Sequence, residues 1–264
     1  MERLRVRALI EGPADDELGP SYLYRHVLLR DAGYATLARA ERARLHARLA
    51  AWTSEAAGTR VDRVAEVVAR HYLAALEALP ALSPPGAAAL DRGELSQLTT
   101  AWLERAARAA IASGAPASAR ELADAALRLT DAGAAGDRAR RLALRGEATA
   151  FSGDMDEGVA AHREAAQLYA GLAASAPDPA ERATARDGYA SAVLAVGTLL
   201  IEQLLFRDAE ALAGEALAAI GPADDLATAR LRYLRAWAGV AYQPEPAAAG
   251  GHGHGHGHQH GPGF

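Results

Sequence analysis

The sequence predicts an all-α chain: helical hairpins stacked into an α-solenoid, preceded by a small β-hairpin. Three observations carry that reading. Half of the 264 residues are apolar but aromatics make up only 5%, so the interior must be built largely from alanine, the strongest helix former and small enough to let helices approach closely. Valine and isoleucine are sparse, which leaves strands little to build from. A short turn leading into a small-residue helix also recurs along the chain, the mark of a repeat architecture.

Composition removes several kinds of chemistry at once. No lysine or asparagine occurs, so all 28 basic residues are arginine, a bias that GC-rich coding explains. Without lysine there is no phosphate loop of the form G-x-x-x-x-G-K-[ST] and no Schiff base. Without cysteine there is no disulfide, thiolate nucleophile or cysteine-ligated zinc. The start, Met1-Glu2-Arg3-Leu4-Arg5, has no apolar segment of a secretory signal behind it. No apolar run approaches the ~20 residues of a membrane span. A soluble, cytoplasmic protein is expected. Its net charge of −5 gives no general attraction for nucleic acid.

Residues 4–26 are the one stretch without helical periodicity. Val6 to Ile10 and Tyr22 to Tyr24 favour strands. The turn formers and acids of 11–20 between them predict a two-stranded ribbon with a loose tip. From His26 the period becomes helical: Val27, Leu28, Tyr34, Leu37, Leu45, Leu49 and Trp52 recur at steps of three and four, broken near Ala38-Arg39. That predicts helices over about 26–37 and 39–57. The second carries Arg39, Glu41, Arg42, Arg44 and Arg48, whose mixed signs suit a solvated face better than a nucleic-acid contact.

A further helix is expected over about Val61–Leu79, followed by a break at Leu82-Ser83-Pro84-Pro85-Gly86. Helices resume near Leu95 and run in pairs to about Tyr242. Asp178-Pro179-Ala180-Glu181 is the clearest start, with aspartate at the N-cap, proline in the first turn and glutamate at the third position. Weaker starts lie at Pro116 and Asp154.

The repeats define the architecture. Gly114 to Ala119 leads into Leu122, Ala123, Ala126 and Leu127. Gly153 to Gly158 leads into Ala161, Ala165, Ala166 and Leu168. Leu205 to Ala209 leads into Leu212, Ala213, Ala216 and Leu217. The first two starts lie 39 residues apart, within the range of helix-hairpin repeats, which bury their apolar faces only by stacking. An irregular, right-handed, tetratricopeptide-like α-solenoid follows. Beyond Gln243-Pro244-Glu245-Pro246 periodicity ends. His252, His254, His256, His258 and His260 alternate mostly with glycine, so a disordered tail is expected. Its histidines could bind nickel, copper or zinc only loosely, because glycine spacing fixes no ligand geometry and supplies no second shell, so the tail reads first as a low-complexity extension or a purification tag. The resulting divisions are 1–57 for the N-terminal unit, 58–82 for a linking helix, 90–243 for the repeats and 244–264 for the tail.

Tyr22-Leu23-Tyr24-Arg25-His26-Val27-Leu28-Leu29-Arg30-Asp31-Ala32-Gly33-Tyr34, with Arg39 to His46 after it, resembles the segment that follows the ATPase core of bacterial STAND-type regulators. Those proteins couple an AAA-like ATPase to an adenylate cyclase or a LuxR-type DNA-binding domain. Trp52 suits the tryptophan that ends the family's basic helix, and Val67-Val68-Ala69-Arg70-His71-Tyr72 looks like its next helix. The likeness covers residues 20–75. It implies that residues 1–57 are a truncated winged-helix remnant whose wing is the hairpin. It also implies that His26 lies near the β-phosphate of ADP and helps hold the off state. The acidic residue that often follows that histidine is Val27 here, and a structural histidine at the first turn of a helix is the plain alternative. Arg30 and Asp31 suit an ion pair within the fold. ATP or ADP and Mg²⁺ would belong to an upstream domain of the parent protein.

Three function classes follow. The first is a non-catalytic regulatory or protein-interaction module, a fragment of a signal-transduction ATPase whose phosphate-loop domain acts in cis. The second is a standalone tetratricopeptide-like scaffold that binds peptide or protein partners in its groove. An enzyme is the third class. Glu41, His46, Glu66, His71 and Glu104 supply acids and bases, but none forms a triad, a carboxylate pair or a metal trio by spacing, and no catalytic residue is assigned. A DNA-reading winged helix would need base-reading side chains on one face, which 39–57 lacks.

Overall fold

The computed structural model describes residues 9–16, 19–79 and 91–241; the Pro84-Pro85 break and the histidine-rich tail lie outside them, as do Val6 to Ala8. The chain is all-α with a small antiparallel hairpin at its start. Strand β1 (Ile10–Asp16) pairs with β2 (Gly19–Tyr24), Ile10 facing Tyr24 and Asp16 facing Gly19. The ladder therefore extends through the stretch predicted as a loose tip. Once Ile10 and Tyr24 fix the register, successive backbone groups keep meeting. The turn-forming residues instead produce an irregularity between Glu11 and Ala14, where Gly12 takes φ 122°.

Helix α1 (Val27–Ala35) and α2 (Arg39–Ala57) match the predicted pair. Helix α3 (Ala65–Ala78) begins later than Val61, because a 3₁₀ segment, Gly58–Val64, intervenes. Gly58 stops α2 at φ 51°, a conformation that favours glycine. The array continues as α4 (Arg92–Ala112), α5 (Pro116–Arg128), α6 (Ala135–Phe151), α7 (Met155–Ser175), α8 (Pro179–Glu202), α9 (Phe206–Ile220) and α10 (Leu226–Ala241). Carboxylate caps start several of them. The Asp178 side chain accepts the Glu181 N–H at 3.2 Å, as predicted, and Asp154 caps Glu157 in the same way. Asp91 on Glu94 and Asp225 on Thr228 repeat the device.

The three repeated turns share one geometry. After α4, α6 and α8 a residue enters the left-handed region: Gly114 (φ 75°), Gly153 (φ 95°) and Leu204 (φ 63°). The next N–H then reaches back five residues, from Ala115 to the Ala110 carbonyl, Asp154 to Thr149 and Leu205 to Leu200. This is the Schellman closure, which satisfies helix-end carbonyls while reversing the chain.

From α2 onward each helix packs on its sequence neighbours. Contacts two helices along link α4 with α6, α6 with α8 and α8 with α10. The core follows this series in three clusters and consists mainly of alanine. Ala43, Ala50, Val68 and Leu76 lie at one end, Leu103, Ala107, Ala123 and Ala126 in the middle, and Val193, Val196, Leu231 and Leu234 at the other. The aromatic and aliphatic stripe of α1 and α2 does not join it. Val27, Leu28, Tyr34, Leu45, Leu49 and Trp52 are exposed, and α1 buries no residue. The face that α2 buries is Ala43, Ala50, Thr53 and Ala57, because only small side chains fit where it meets α3.

Candidate functional site

Helices α4, α6 and α8 form one layer, and an open cleft of about 850 Å³ lies against it, closed on one side by α7. Its walls are made by close approach. A Cβ on Gly146 would lie 2.8 Å from the His162 ring, so the α6 backbone touches that imidazole directly. The Tyr169 ring lies on bare Gly188 in the same manner, where a Cβ would meet it at 2.6 Å. Ala143, Ala192 and Ala195 line the floor, and Phe151, 68% exposed, stands at the rim. The carboxylates of Glu147 and Glu202 and the guanidiniums of Arg108 and Arg140 supply its charge. A second cleft of about 1030 Å³, lined by Asp62, Glu66, Arg105 and Arg108, adjoins it through Arg108.

Behind the arginines sits a buried ion network. Glu104 is 5% exposed, and accepts from Arg140 Nε at 2.9 Å, Arg141 Nε at 2.8 Å and Arg108 at 3.2 Å. Burial pushes its carboxyl up, but the hydrogen bonds and charges of Arg140 and Arg141 outweigh that and hold it below the ordinary carboxylate range. Arg140 is correspondingly raised by its bond to Glu104. Arg141, as buried as Glu104, also donates to Thr130. Glu104 is saturated by guanidinium donors, so the network positions α4 against α6 rather than offering a free base. Across the cleft, His162 is buried with no partner for Nδ1, and desolvation lowers its pKa to about 4. It is a neutral wall of the cleft at neutral pH.

The remaining sequence candidates scatter. His26 is exposed at the N-cap of α1, where its carbonyl accepts from Leu29 and Arg30 and its side chain makes no cap hydrogen bond. Arg30 and Asp31 do form an ion pair, at 2.8 Å and in solvent. Glu41 sits in the first turn of α2. Glu66 pairs with Arg70 and accepts from Ser118. His46 and His71, read separately in sequence, are brought together: their Nδ1 atoms lie 3.0 Å apart, and the Tyr34 hydroxyl lies 2.9 Å from His46 Nε2. No local signal marks this pair, because the two residues lie on different helices, 25 positions apart. The histidines of 252–260 lie outside the described residues. Among the described residues no group of three or more His, Cys, Asp or Glu is placed to hold a metal ion, and no helix is long and apolar enough to cross a membrane.

No family model matches the chain, and no curated protein matches it. Among solved structures it is similar to the crystal structure of BtubC (BKLC) from P. vanneervenii, at 14% identity over 86% of this chain and 97% of that one, with a TM-score of 0.45. A likeness of that size carries no argument about function.

Proposed function

We propose that this chain is a non-catalytic regulatory module that works by holding a peptide or protein partner in the groove of a tetratricopeptide-like α-solenoid. The observation that supports it most is the open cleft on the layer of α4, α6 and α8. It has alanine and glycine walls, an exposed phenylalanine at its rim, and both carboxylates and guanidiniums in its lining. Small walls admit a partner's backbone or large side chains, and charges of both signs set its direction. Selection of displayed random dodecapeptides on the whole chain tests the reading. A shared motif with micromolar binding is expected, together with at least a tenfold loss on Ala195→Trp at unchanged melting temperature. Peptides without a motif, or binding indifferent to a filled cleft, would remove the groove as the site.

A finer reading makes this module the part following the ATPase core of a STAND-type regulator, with residues 1–57 as a truncated winged helix. What favours it is the apolar surface at the start of the array. Tyr22, Leu23, Tyr24, Val27 and Leu28 are exposed on the hairpin and on a helix that buries nothing, which suits a unit completed by further protein. The ATPase domain in cis would hold ATP or ADP with Mg²⁺, and His26 would report on the nucleotide. Neither membrane nor nucleic acid enters this reading. Sequencing the coding locus upstream of Met1 discriminates. An in-frame G-x-x-x-x-G-K-[ST] supports the parent ATPase, whereas a stop codon there leaves the standalone scaffold, which the packing of α2 on α3 and of α3 on α4 favours independently.

A further inference from the structure

We propose that the cleft on α4, α6 and α8 takes a basic segment, with one arginine or lysine side chain seated among Glu147, Glu202 and Phe151; this rests on the groove reading and names the chemistry of its occupant. The charged groups of the lining are not equally free to meet a partner. Arg140 already donates to both carboxylate oxygens of Glu104 and pairs with Asp137, and Arg108 donates to Glu104 as well. Glu147 and Glu202 line the same cleft and are exposed. Among the described residues neither side chain has an ion pair or a hydrogen bond. An incoming cation therefore meets two uncommitted carboxylates, whereas an incoming carboxylate must compete with Glu104 for guanidiniums that already hold it.

Three further features favour a cation at this place. Glu147 and Phe151 are four residues apart on α6 and so share a face. The phenyl ring is 68% exposed, and an exposed ring beside a carboxylate suits a side chain whose stem packs on the ring while its charged head meets the acid. Glu147 lies in the last two turns of α6 and Glu202 is the last residue of α8, where the partial negative charge of each helix end adds to theirs. Met155, Ala195 and Leu199 supply apolar lining for the residues that flank the cation.

Towards the start of α6 the cleft turns cations away. Arg140 precedes Glu147 by seven residues, about 10 Å along the helix. In the network behind it three guanidiniums share two carboxylates, Glu104 and Asp137, and the surplus positive charge repels a second basic side chain. An extended segment covers that distance in about three residues. The basic residue therefore lies at one end of the bound stretch and fixes its direction in the cleft.

Two displayed dodecapeptide libraries test this on the whole chain, one built without Lys and Arg and the other without Asp and Glu. Binders are expected only from the library that keeps Lys and Arg, each with such a residue beside an apolar one. The affinity of a synthetic peptide from that selection should fall about tenfold in the double variant Glu147→Gln, Glu202→Gln, and about threefold between about 50 and 500 mM NaCl. Neither carboxylate has a partner within the chain to lose, so the melting temperature of the double variant should not change. Glu41→Gln, at an exposed carboxylate on α2, should leave the affinity as it is. Equally tight binders from the library without Lys and Arg, or an affinity indifferent to the double variant, would overturn the basic occupant and leave the groove to stand or fall on Ala195→Trp. Binders from neither library would remove the groove, and the basic occupant with it.

Discussion

Lowering the pH should unfold this chain earlier than its carboxylates alone require, and His162 is the reason. Its ring is 6% exposed, packed on Gly146, with Nδ1 unpartnered. Burial lowers its pKa to about 4, against about 6.5 in an unfolded chain. Between those values the unfolded chain binds a proton that the folded chain refuses, so stability rises with pH across the window. It is complete above the unfolded value and is lost as pH falls toward 4. A shift of that size implies a loss of roughly 1.4 kcal/mol at pH 5.5 and roughly 2.6 kcal/mol at pH 4.5. His46 and His71 are also lowered and add to the same window. Glu104 is depressed, so its contribution is complete above the ordinary carboxylate value and is lost progressively as pH falls through that value toward the lowered one. Urea unfolding at pH 4.5, 5.5, 6.5 and 7.5, on the natural chain and on His162→Met, isolates the term. Methionine is close in volume and flexible, so whatever it costs at pH 7.5, the variant should lose less on acidification. Parallel pH profiles for the two chains would refute the assignment, as would a natural chain whose stability stays flat down to pH 4.5.

Leu204 stands in the left-handed position that Gly114 and Gly153 fill in the equivalent turns. Leu204→Gly should therefore stabilise by about 0.5–1 kcal/mol, the relief of ~1–2 kcal/mol of strain less glycine's entropic cost; Gly153→Ala should do the reverse, both read from urea midpoints. Glu104→Gln removes the buried anion shared by Arg140 and Arg141 and leaves them only the half-exposed Asp137, and a loss of about 3 kcal/mol is expected. Arg108→Gln, removing a half-exposed member of the same network, should cost under about 1 kcal/mol, and equal losses in the two variants would contradict the burial argument. Arg30→Ala breaks only the solvent-exposed pair with Asp31, and a stability change of more than about 0.5 kcal/mol would mean that pair does more than the structure indicates.

Helices, turns and caps were legible because their signals are local. Asp178 with Glu181, Pro116 at a helix start and Gly153 after a helix end each act within five residues. Direction was not legible. The period of Val27, Leu28, Leu45, Leu49 and Trp52 says which residues share a face, but not what that face meets, and here it meets solvent. The buried face of α2 is mostly alanine, which carries too little hydrophobic contrast to stand out in a sequence where alanine is everywhere. Pairings between helices were hidden for a related reason. His46 meets His71, and Glu104 meets Arg141, 25 and 37 positions away, and no spacing rule links them until the turns between are placed. The cleft likewise depends on Gly146 and Gly188 lying against His162 and Tyr169, contacts between helices that read in sequence only as helix-weakening glycines.

The alanine core also explains why so many arginines are tied between helices. A buried methyl contributes about 0.8 kcal/mol, and a surface of near-identical methyls holds one helix against the next with little preference for register. Ion pairs restore that preference. Glu104 with Arg140 and Arg141 ties α4 to α6, Arg145 with Asp124 and Glu157 ties α6 to α5 and α7, and Asp225 with Arg186 and Asp187 with Arg230 tie α8 to the start and body of α10. Guanidinium suits this task where ammonium would not, because its planar fork fixes an angle as well as a distance. For the buried Glu104–Arg141 pair, desolvation offsets much of the Coulombic gain, so its contribution is to register more than to stability. The cleft borders that network through Arg108 and Arg140, so two of the guanidiniums that hold α4 and α6 in register around Glu104 also face its opening. Its walls are set by the glycine contacts of α6 and α8, and the ion network fixes the register in which those contacts are made.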